Sequence, residues 1–295
     1  MLQQTTVSAV IDHFNRFFKT FPTIASLAEA REEEVLKSWA GLGYYSRARN
    51  LHKAARKIVA EHQGQVPAEY HKVLDLPGIG RYTAGAILSI AYGKRYAVLD
   101  GNVMRVFSRF YGIKDNVKEA ATSRRLWELA EGLVPEENPG DWNQALMELG
   151  ATICLPDNPK CPDCPLARAC VAFKKGLQDQ LPVVPKRREF TALKWISLWI
   201  EKNGRVLLWK RSKEERFLKG HWGLPEDRHL KITPGRAIKT VRHVITHHQI
   251  TVELREAAAP KRLPQEARWV DTDKVREKLV SSLWIKALPP RAYKE

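Results

Sequence analysis

The stretch that decides the fold is LDLPGIGRYTAGAIL, residues 74–88. Its centre, Leu76-Pro77-Gly78-Ile79-Gly80, lies between two helical patterns, and its glycines allow a tight turn and the close approach of another backbone. The turn amides and the start of the following helix are expected to point towards an anion, with Arg81 beside them. A DNA phosphate fits such a site. A plain turn between two helices is the alternative, because Pro-Gly is common in loops.

Helical periodicity extends from that turn in both directions, as far as residue 153. Apolar residues at i, i+3 and i+4 spacing begin at Val7, and short turns with glycine or proline separate the helical segments. The other predicted helices span residues 31–40, 46–62, 81–93, 102–112, 123–134 and 142–153. A run of modest helices predicts an all-α domain with many helix ends available to a ligand.

The pattern changes after residue 175. Residues 176–189, GLQDQLPVVPKRRE, combine two prolines with a short basic run and predict a connector. Residues 192–211 contain two β-branched and aromatic runs around Asn203-Gly204, which predicts a β-hairpin. Further strands are predicted within 247–257 and 266–273, and a closing helix within 273–280. The second domain, residues 190–290, is therefore expected to be α+β.

The composition bounds the partners and the compartment. Lysine and arginine outnumber aspartate and glutamate by 49 to 33, which gives a net charge of +16. This balance suggests a polyanionic partner such as nucleic acid, although a basic protein without one has the same balance. No stretch approaches the ~18 apolar residues of a membrane span, and no signal-peptide pattern begins the sequence. The expected compartment is the cytoplasm.

All four cysteines lie in the segment CLPDNPKCPDCPLARAC, as Cys154, Cys161, Cys164 and Cys170. This C-x6-C-x2-C-x5-C spacing is wrong for a secreted disulfide scaffold of this length. Four thiolates in a tight loop hold either an iron–sulfur cluster or one zinc ion. The spacing favours the cluster, because no histidine lies among the cysteines and the gaps do not form paired C-x2-C knuckles.

Asp100 is the candidate catalytic carboxylate of the helical region. It precedes Gly101-Asn102 at a predicted helix start, where the ordinary role of an aspartate is a helix cap. Twenty residues separate it from Gly80, enough for the second hairpin helix to end and the chain to return. A carboxylate beside bound DNA stabilises the oxocarbenium-like state through which deoxyribose loses a purine.

The hairpin, the following aspartate and the cysteine spacing together resemble the endonuclease III superfamily of DNA glycosylases. Five segments are similar to its adenine DNA glycosylase branch, of MutY type: MLQQT, GLGYYSRARNLHKAA, GIGRYTAGAILSIA, VLDGNVMRV and NQALMELGATIC. The resemblance implies a helix-hairpin-helix glycosylase domain over residues 1–175, with one [4Fe-4S] cluster on the 154–170 loop. It also implies a smaller Nudix-like domain at 190–290. A bacterial, cytoplasmic, nucleoid-associated monomer is expected, bound to double-stranded DNA and not to a membrane.

The family activity implied is removal of adenine paired with 8-oxoguanine or guanine, by flipping the adenine and hydrolysing its glycosidic bond. By motif position, Asp100 would stabilise the sugar cation, Asn102 would be its polar neighbour, and Gln144 would face the flipped adenine. Bifunctional relatives carry a lysine that forms a Schiff base where this sequence has Tyr82. A monofunctional glycosylase is therefore expected.

Lesion contacts are implied in both domains. Gln4, Thr5 and Tyr44 match contacts around the oxidised guanine, and Tyr44 is the side chain expected to wedge into the base stack. The alternative is that Tyr44 and its neighbour are core aromatics, and that Gln144 is a solvated helix residue.

In the second domain, Ile245, Thr246 and His247 align with a Phe-Ser-His recognition loop. Threonine keeps the hydroxyl, whereas isoleucine loses the aromatic face. No cluster of glutamates follows residues 207–226, so pyrophosphate hydrolysis is not expected there.

The first residues raise a separate expectation. No helix-start signal precedes the apolar positions that begin at Val7. In the family, this stretch lies inside a helix, and a glutamate two positions before the methionine protonates the departing adenine. That general-acid glutamate is absent from this sequence. Either Met1 is an internal methionine, which the missing start signal favours, or the chain is a catalytically impaired lesion-binding protein.

Overall fold

The structure is a computed structural model that describes residues 1, 7–185 and 189–289. The chain forms two compact units, and each combines segments that are distant in sequence. One unit contains residues 24–29 and 50–185, and the other contains residues 7–23, 30–49 and 189–289. Within the described residues, no helix is both long and apolar enough to cross a membrane.

Helices make up most of the first 175 residues. The described helices are α1 (Val7–Thr20), α2 (Ile24–Glu29), α3 (Glu32–Ser38), α4 (Tyr45–Glu61), α5 (Tyr70–Leu74), α6 (Arg81–Ala86), a π-helix (Ile87–Ala91), α7 (Gly101–Tyr111), α8 (Ala120–Leu133), α9 (Pro139–Thr152), α10 (Val171–Lys175), α11 (Asp227–Leu230), α12 (Val275–Lys278) and α13 (Ser282–Ala287). The predicted helices of the first 153 residues are confirmed to within about three residues at most ends. The short helices α2, α5 and α10 were not predicted, because five or six residues give too little periodicity.

The helix predicted over residues 81–93 is interrupted. It changes from α6 to the π-helix at Ile87, beside the buried side chain of Asn143, whose Nδ2 donates to Ser89 Oγ at 2.8 Å. Gly140 also approaches this segment so closely that a Cβ there would lie 2.7 Å from the Ser89 carbonyl oxygen. Contacts made by α9 therefore accompany the extra residue of the π-turn, a feature that often marks functional sites.

Helix α7 forms the centre of the helical core. Its buried residues Val103, Val106 and Phe107 belong to one apolar cluster with Leu126 of α8 and Leu146 of α9. The helix begins after the cap residue Asp100 and ends at Gly112, whose φ of 66° favours glycine. The first turn of α7 therefore lies directly beside the candidate carboxylate of Asp100.

Seven short strands form two sheets in the other unit. They are β1 (Thr191–Trp199), β2 (Glu201–Lys202), β3 (Arg205–Lys210), β4 (Trp222–Gly223), β5 (Ala237–Ile245), β6 (His248–Glu256) and β7 (Ala267–Asp271), among the described residues. One sheet has the order β1-β6-β5, with β1 parallel and β5 antiparallel to β6. In the other sheet, β3 pairs with β2, β4 and β7, all antiparallel. The prediction of an α+β region is confirmed.

The predicted hairpin at Asn203-Gly204 is only partly correct. Both turn residues have positive φ, as expected, but the pairing with β3 is short: it consists of the two residues of β2 and a hydrogen bond from Leu207 N to the Ile200 carbonyl at 2.9 Å. The longer run, β1, pairs in parallel with β6 instead. The physical reason is burial: Leu198, Trp199 and Ile200 are all buried, so this run is covered on both faces, as parallel strands usually are.

Two further elements differ from the prediction. Strand β5 was missed because its apolar residues Ile238, Val241 and Val244 recur at every third position, which does not match the period-2 alternation typical of a strand. The predicted closing helix is a 3-10 turn (Thr272–Lys274) followed by the four-residue helix α12. The core of this part of the chain is aromatic, with Trp195, Trp199 and Trp284 in one buried cluster.

Candidate active site and cysteine loop

Asp100 is both a helix cap and a carboxylate held in a defined orientation. Its Oδ1 accepts a hydrogen bond from the Val103 backbone N–H at 2.8 Å. Its Oδ2 accepts from Asn102 Nδ2 at 3.1 Å, which brings together two of the predicted catalytic residues. The side chain is half-buried, so one face remains available to a ligand. The cap and the proposed chemistry are therefore compatible in one residue.

Arg105 fixes the other side of Asn102. Its Nη2 donates to Asn102 Oδ1 at 3.0 Å and to the Gly150 carbonyl at 2.6 Å, and its Nε donates to the Cys154 carbonyl at 2.8 Å. The sequence reading missed this residue. A signal was present, since Arg105 is a charged residue on the buried, apolar face of α7.

Tyr82 lies beside the carboxylate. Burial, and then the nearby negative charge of Asp100, raise the pKa of the Tyr82 phenol. Its Oη donates to the Met147 sulfur at 3.5 Å. The phenol is therefore protonated at neutral pH, and a phenol cannot form the Schiff base that a lysine forms.

The hairpin turn requires glycine at Gly78 but not at Gly80. Gly78 has a φ of 81°, and a Cβ there would lie 2.6 Å from Asn50 Cβ. Gly80 is the extended residue before α6, and no side chain caps this helix. Arg81 has other partners: its Nη2 donates to Glu131 at 2.6 Å, and its guanidinium lies 4.0 Å from the Trp127 ring centroid. Binding a phosphate would require Arg81 to exchange Glu131 for the anion.

Helix α9 is fixed by Asn143, the neighbour of the predicted Gln144. Asn143 is buried; its Nδ2 donates to Ser89 Oγ and to the Tyr96 carbonyl, each at 2.8 Å, and its Oδ1 accepts from Val98 N at 3.3 Å. These bonds join α9 to the segment that leads to Asp100. Gln144 itself is exposed, and its Nε2 donates to the Gly140 carbonyl at 3.3 Å. Sequence reasoning named the exposed amide and missed the buried one.

Tyr44 lies in a glycine-rich turn between α3 and α4, and 52% of it is exposed. Its φ of 46° is uncommon for a residue with a side chain. Trp39 Nε1 donates to the Gly43 carbonyl at 3.1 Å, and the Arg47 guanidinium lies 5.7 Å from the Tyr44 ring centroid. The interpretation of Tyr44 as a core aromatic is therefore wrong. Gln4 and Thr5 lie outside the described residues.

The predicted recognition loop is the turn between β5 and β6. Thr246 has a φ of 55°, and its Oγ1 donates to the Ile245 carbonyl at 2.7 Å. His247 is half-buried, and its ring centroid lies 3.9 Å from that of His248. The buried histidine is His248, whose Nε2 lies 2.7 Å from Arg216 Nη2. Neither Arg216 nor His248 was predicted.

The four cysteines line one apolar cavity beside α7, together with Val106, Phe110 and Leu166. All four have free, half-buried thiols. Arg109 Nη1 donates to Cys154 Sγ at 3.3 Å and to the Leu155 carbonyl at 2.6 Å. Burial raises the pKa of the Cys161 and Cys164 thiols, so thiolates there need a nearby cation. The donor set and the cavity fit a metal group bound by sulfur.

The spacing of the sulfur atoms bears on which group fits. Among the described residues, no three of the four cysteine sulfurs lie within 4.8 Å of one another. A tetrahedral zinc ion with Zn–S bonds of about 2.3 Å holds its sulfurs about 3.8 Å apart. A four-iron cluster spreads them more widely, because each sulfur binds a different iron atom.

Comparisons with known proteins agree with this architecture. A family model described as HhH-GPD superfamily base excision DNA repair protein matches residues 1–131. Adenine DNA glycosylases from two Buchnera aphidicola strains are similar. The protein of the Schizaphis graminum strain is 41% identical over 71% of this chain and 63% of its own length. That of the Acyrthosiphon pisum strain is 38% identical over 74% and 67%.

Among solved structures, a thermostable thymine-DNA glycosylase is 34% identical, with a TM-score of 0.54 over 59% of this chain and 80% of its own. The present chain spans 63% and 67% of the length of these two Buchnera proteins and about a third of the length of the mammalian adenine DNA glycosylases that it matches. The chain belongs to the HhH-GPD superfamily of base excision DNA repair proteins, within its adenine DNA glycosylase branch.

Proposed function

We propose that this protein is a monofunctional DNA glycosylase that removes adenine paired with 8-oxoguanine or guanine in double-stranded DNA. The observation that carries the proposal is the Asp100 carboxylate, oriented by Val103 N and Asn102 Nδ2. The reaction breaks the C1′–N9 bond, whose electron pair leaves with the adenine. Adenine takes up a proton, and water adds to C1′ to give an abasic site.

The ionised carboxylate of Asp100 stabilises the positive charge that develops on the sugar as the bond breaks. Asn102 holds one carboxylate oxygen, and Arg105 holds Asn102, so the charge is oriented before the base arrives. Tyr82 supplies no amine, so the abasic product leaves without a covalent enzyme–sugar intermediate. Gln144, exposed on α9, is the proposed contact to the flipped adenine, and Tyr44 the proposed wedge.

DNA binding is assigned to the helix-hairpin-helix turn and to the excess of basic side chains. The backbone at Gly78 and Gly80 is proposed to contact a phosphate, with Arg81 joining once it leaves Glu131. The expected form is a cytoplasmic monomer bound to duplex DNA. Residues 190–290 are proposed to be a Nudix-like lesion-recognition domain, in which the Thr246 hydroxyl and His247 contact the 8-oxoguanine.

The four cysteines are proposed to hold one [4Fe-4S] cluster. No three of the described cysteine sulfurs lie within 4.8 Å of one another, which supports a cluster over one zinc ion. When bound, the cluster supplies a structural staple for the 154–170 loop. Metal analysis that finds iron, together with absorbance near about 400 nm, supports the cluster. One equivalent of zinc without that absorbance would refute it.

The function is tested with a labelled duplex that contains adenine opposite 8-oxoguanine. Adenine release should leave an abasic site that breaks only after alkali treatment. Borohydride should trap no covalent complex, and a trapped complex would overturn the monofunctional assignment. A protein that binds this duplex and releases no adenine is a lesion-binding protein instead.

A further inference from the structure

The first turn of α4 is hydrogen-bonded to the carboxyl-terminal part of the chain and packs against it, within one compact unit. Tyr45 Oη donates to the Val280 carbonyl at 2.7 Å. The Tyr45 ring lies edge-on to the buried ring of His221, with centroids 4.5 Å apart. The Tyr45 ring is therefore held at its hydroxyl and at its edge.

Arg49, one helical turn further along α4, reaches the same turn of the chain as His221. Its Nη2 donates to the Lys219 carbonyl, and its Nε donates to Glu32 at 3.0 Å. Residues 218–221 form a fixed turn, because the His221 carbonyl accepts from Arg211 N at 3.0 Å and Gly220 N donates back to the Arg211 carbonyl at 3.0 Å. The start of α4 therefore contacts a turn, residues 218–221, that is itself held by backbone hydrogen bonds.

Tyr44 immediately precedes this fastened turn. Tyr44 has a left-handed φ of 46°, and its ring is exposed. Trp39 and Arg47 bind the turn from the other side, through the Gly43 and Leu42 carbonyls. The Tyr44 backbone is therefore held between two supports, one of which is the carboxyl-terminal region.

We infer that Tyr45, braced by His221 and the Val280 carbonyl, is the positioning residue that aims Tyr44 into the base stack beside 8-oxoguanine. This inference rests on the proposed function. The carboxyl-terminal region then contributes to lesion discrimination through α4 as well as through its own turn at Thr246. Substitutions of Tyr45 or His221 therefore change the discrimination between 8-oxoguanine and guanine only while Tyr44 is present.

Two ion pairs provide matched controls within the same unit. Lys210 Nζ donates to Glu33 at 2.7 Å, and Lys37 lies 3.5 Å from Glu277. Both pairs are exposed, both join the α3 region to the carboxyl-terminal part, and neither includes residues 41–45. If the Tyr45 contact only packs the two segments together, removing one of these ion pairs should affect duplex binding about as much as removing the Tyr45 hydroxyl.

The test is a double-mutant cycle on the full chain, with binding as the readout. The probe is a duplex with a non-hydrolysable adenine analogue opposite 8-oxoguanine, compared with the same duplex carrying guanine. Tyr45→Phe keeps the ring and removes one hydrogen bond. It should weaken binding to the 8-oxoguanine duplex about three- to tenfold and to the guanine duplex less than twofold. Lys210→Ala should change neither by more than about twofold.

In the Tyr44→Ala background, Tyr45→Phe should have no further effect on either duplex. A fluorescent base next to the 8-oxoguanine should report less unstacking with Tyr45→Phe than with the unaltered chain. Equal losses in both backgrounds, or on both duplexes, would overturn the inference and leave Tyr45 a packing residue. Adenine excision by the unaltered chain is measured separately, so failure of the proposed function is distinguishable from failure of this inference.

Discussion

Asp100 shows how one side chain satisfies both the fold and the proposed chemistry. The Val103 amide would otherwise lack a partner at the helix start, and Oδ1 supplies one. Oδ2 is bound by one amide N–H of Asn102, and the rest of its surface is left for a developing cation. Because a cap needs only an acceptor, whereas the sugar cation needs a negative charge, substitution can separate the two roles.

Asp100→Asn should abolish most adenine excision and leave the fold intact. Asparagine caps helices about as well as aspartate, so the melting temperature should change little. The lost charge should lower the single-turnover excision rate at least about 100-fold, with duplex affinity nearly unchanged. Asp115→Asn, at an exposed aspartate, is the control and should excise normally. Full excision by Asp100→Asn would remove the carboxylate from the mechanism.

His221 links stability to pH. Burial, and then the nearby Arg49, lower its pKa from 6.5 to about 4. Between these values the unfolded chain binds a proton that the folded chain does not. The contribution of neutral His221 to the free energy of unfolding is therefore fully present above about pH 6.5. It is lost as the pH falls towards 4, by up to about 3 kcal/mol.

His221→Phe should flatten this dependence while keeping a ring against Tyr45. The substitution removes little hydrogen bonding, because His221 Nδ1 is buried and has no hydrogen-bond partner among the described residues. Urea unfolding at several pH values between 4 and 7 measures the difference between the two proteins. His71→Phe, at an exposed histidine, should retain the slope of the unaltered chain. Parallel slopes for His221→Phe and the unaltered chain would show that His221 does not titrate in this range.

Helix α7 is the element that connects the cysteine loop to the candidate carboxylate. Asp100 and Asn102 lie at its start, Arg105 lies one turn later and reaches the Cys154 carbonyl, and Arg109 reaches the Cys154 sulfur. Their contacts form a continuous series between the cysteine loop and the carboxylate. Order in the 154–170 loop is therefore expected to affect the orientation of Asn102.

Arg105→Met should lower excision about tenfold without removing the proposed cluster. The variant leaves the Gly150 and Cys154 carbonyls and Asn102 Oδ1 without their donor, which should reduce the free energy of unfolding by about 2 kcal/mol. Arg105 donates to no sulfur, so iron per chain should stay constant. Arg125→Met, on an exposed position of α8, is the control. Normal excision by a destabilised Arg105→Met would mean that Arg105 supports only the fold.

The contact between α7 and α9 depends on Gly150. A Cβ at Gly150 would lie 2.6 Å from Asn102 Cβ, so Gly150→Ala should push the two helices apart. The expected costs are about 1–3 kcal/mol of stability and a clear loss of excision. Gly132→Ala in α8 is the matched control: nothing lies within 4 Å of its Cβ, and alanine should stabilise that helix. Equal excision by the two variants would contradict the role given to the α7–α9 contact.

Much of the helical architecture could be predicted from the sequence, because its helices carry period-3.6 patterns and glycine-marked ends. The π-turn could not, since it accompanies the contacts of Asn143 and Gly140, which are distant in sequence. Nor could the partners of β1, because its mostly apolar sequence indicates burial of its second half but not which strand lies beside it. The same rule applies to the site: Asp100 and Asn102, which a local motif predicted, lie in hydrogen-bond contact, and their catalytic roles stay predictions. Arg216 and His248 act across 32 positions and were missed.

At the scale of the whole molecule, compact units and sequence segments do not coincide. Residues 30–49, which carry Tyr44, belong to the same unit as residues 189–289. Hydrophobic periodicity is local and cannot reveal such an association. The boundaries at residues 175 and 190 remain a prediction about functional domains. Tyr44, the proposed wedge, and the carboxyl-terminal region belong to one compact unit, which is the basis for the inference about Tyr45.

Single-turnover release of adenine is the most direct test of the central claim. The full chain is mixed in excess with duplexes that carry adenine opposite 8-oxoguanine, guanine or thymine, and abasic sites are revealed with alkali. The account predicts release opposite 8-oxoguanine and guanine, none opposite thymine, and loss of release with Asp100→Asn. Tight binding to the 8-oxoguanine duplex without release of adenine would contradict it.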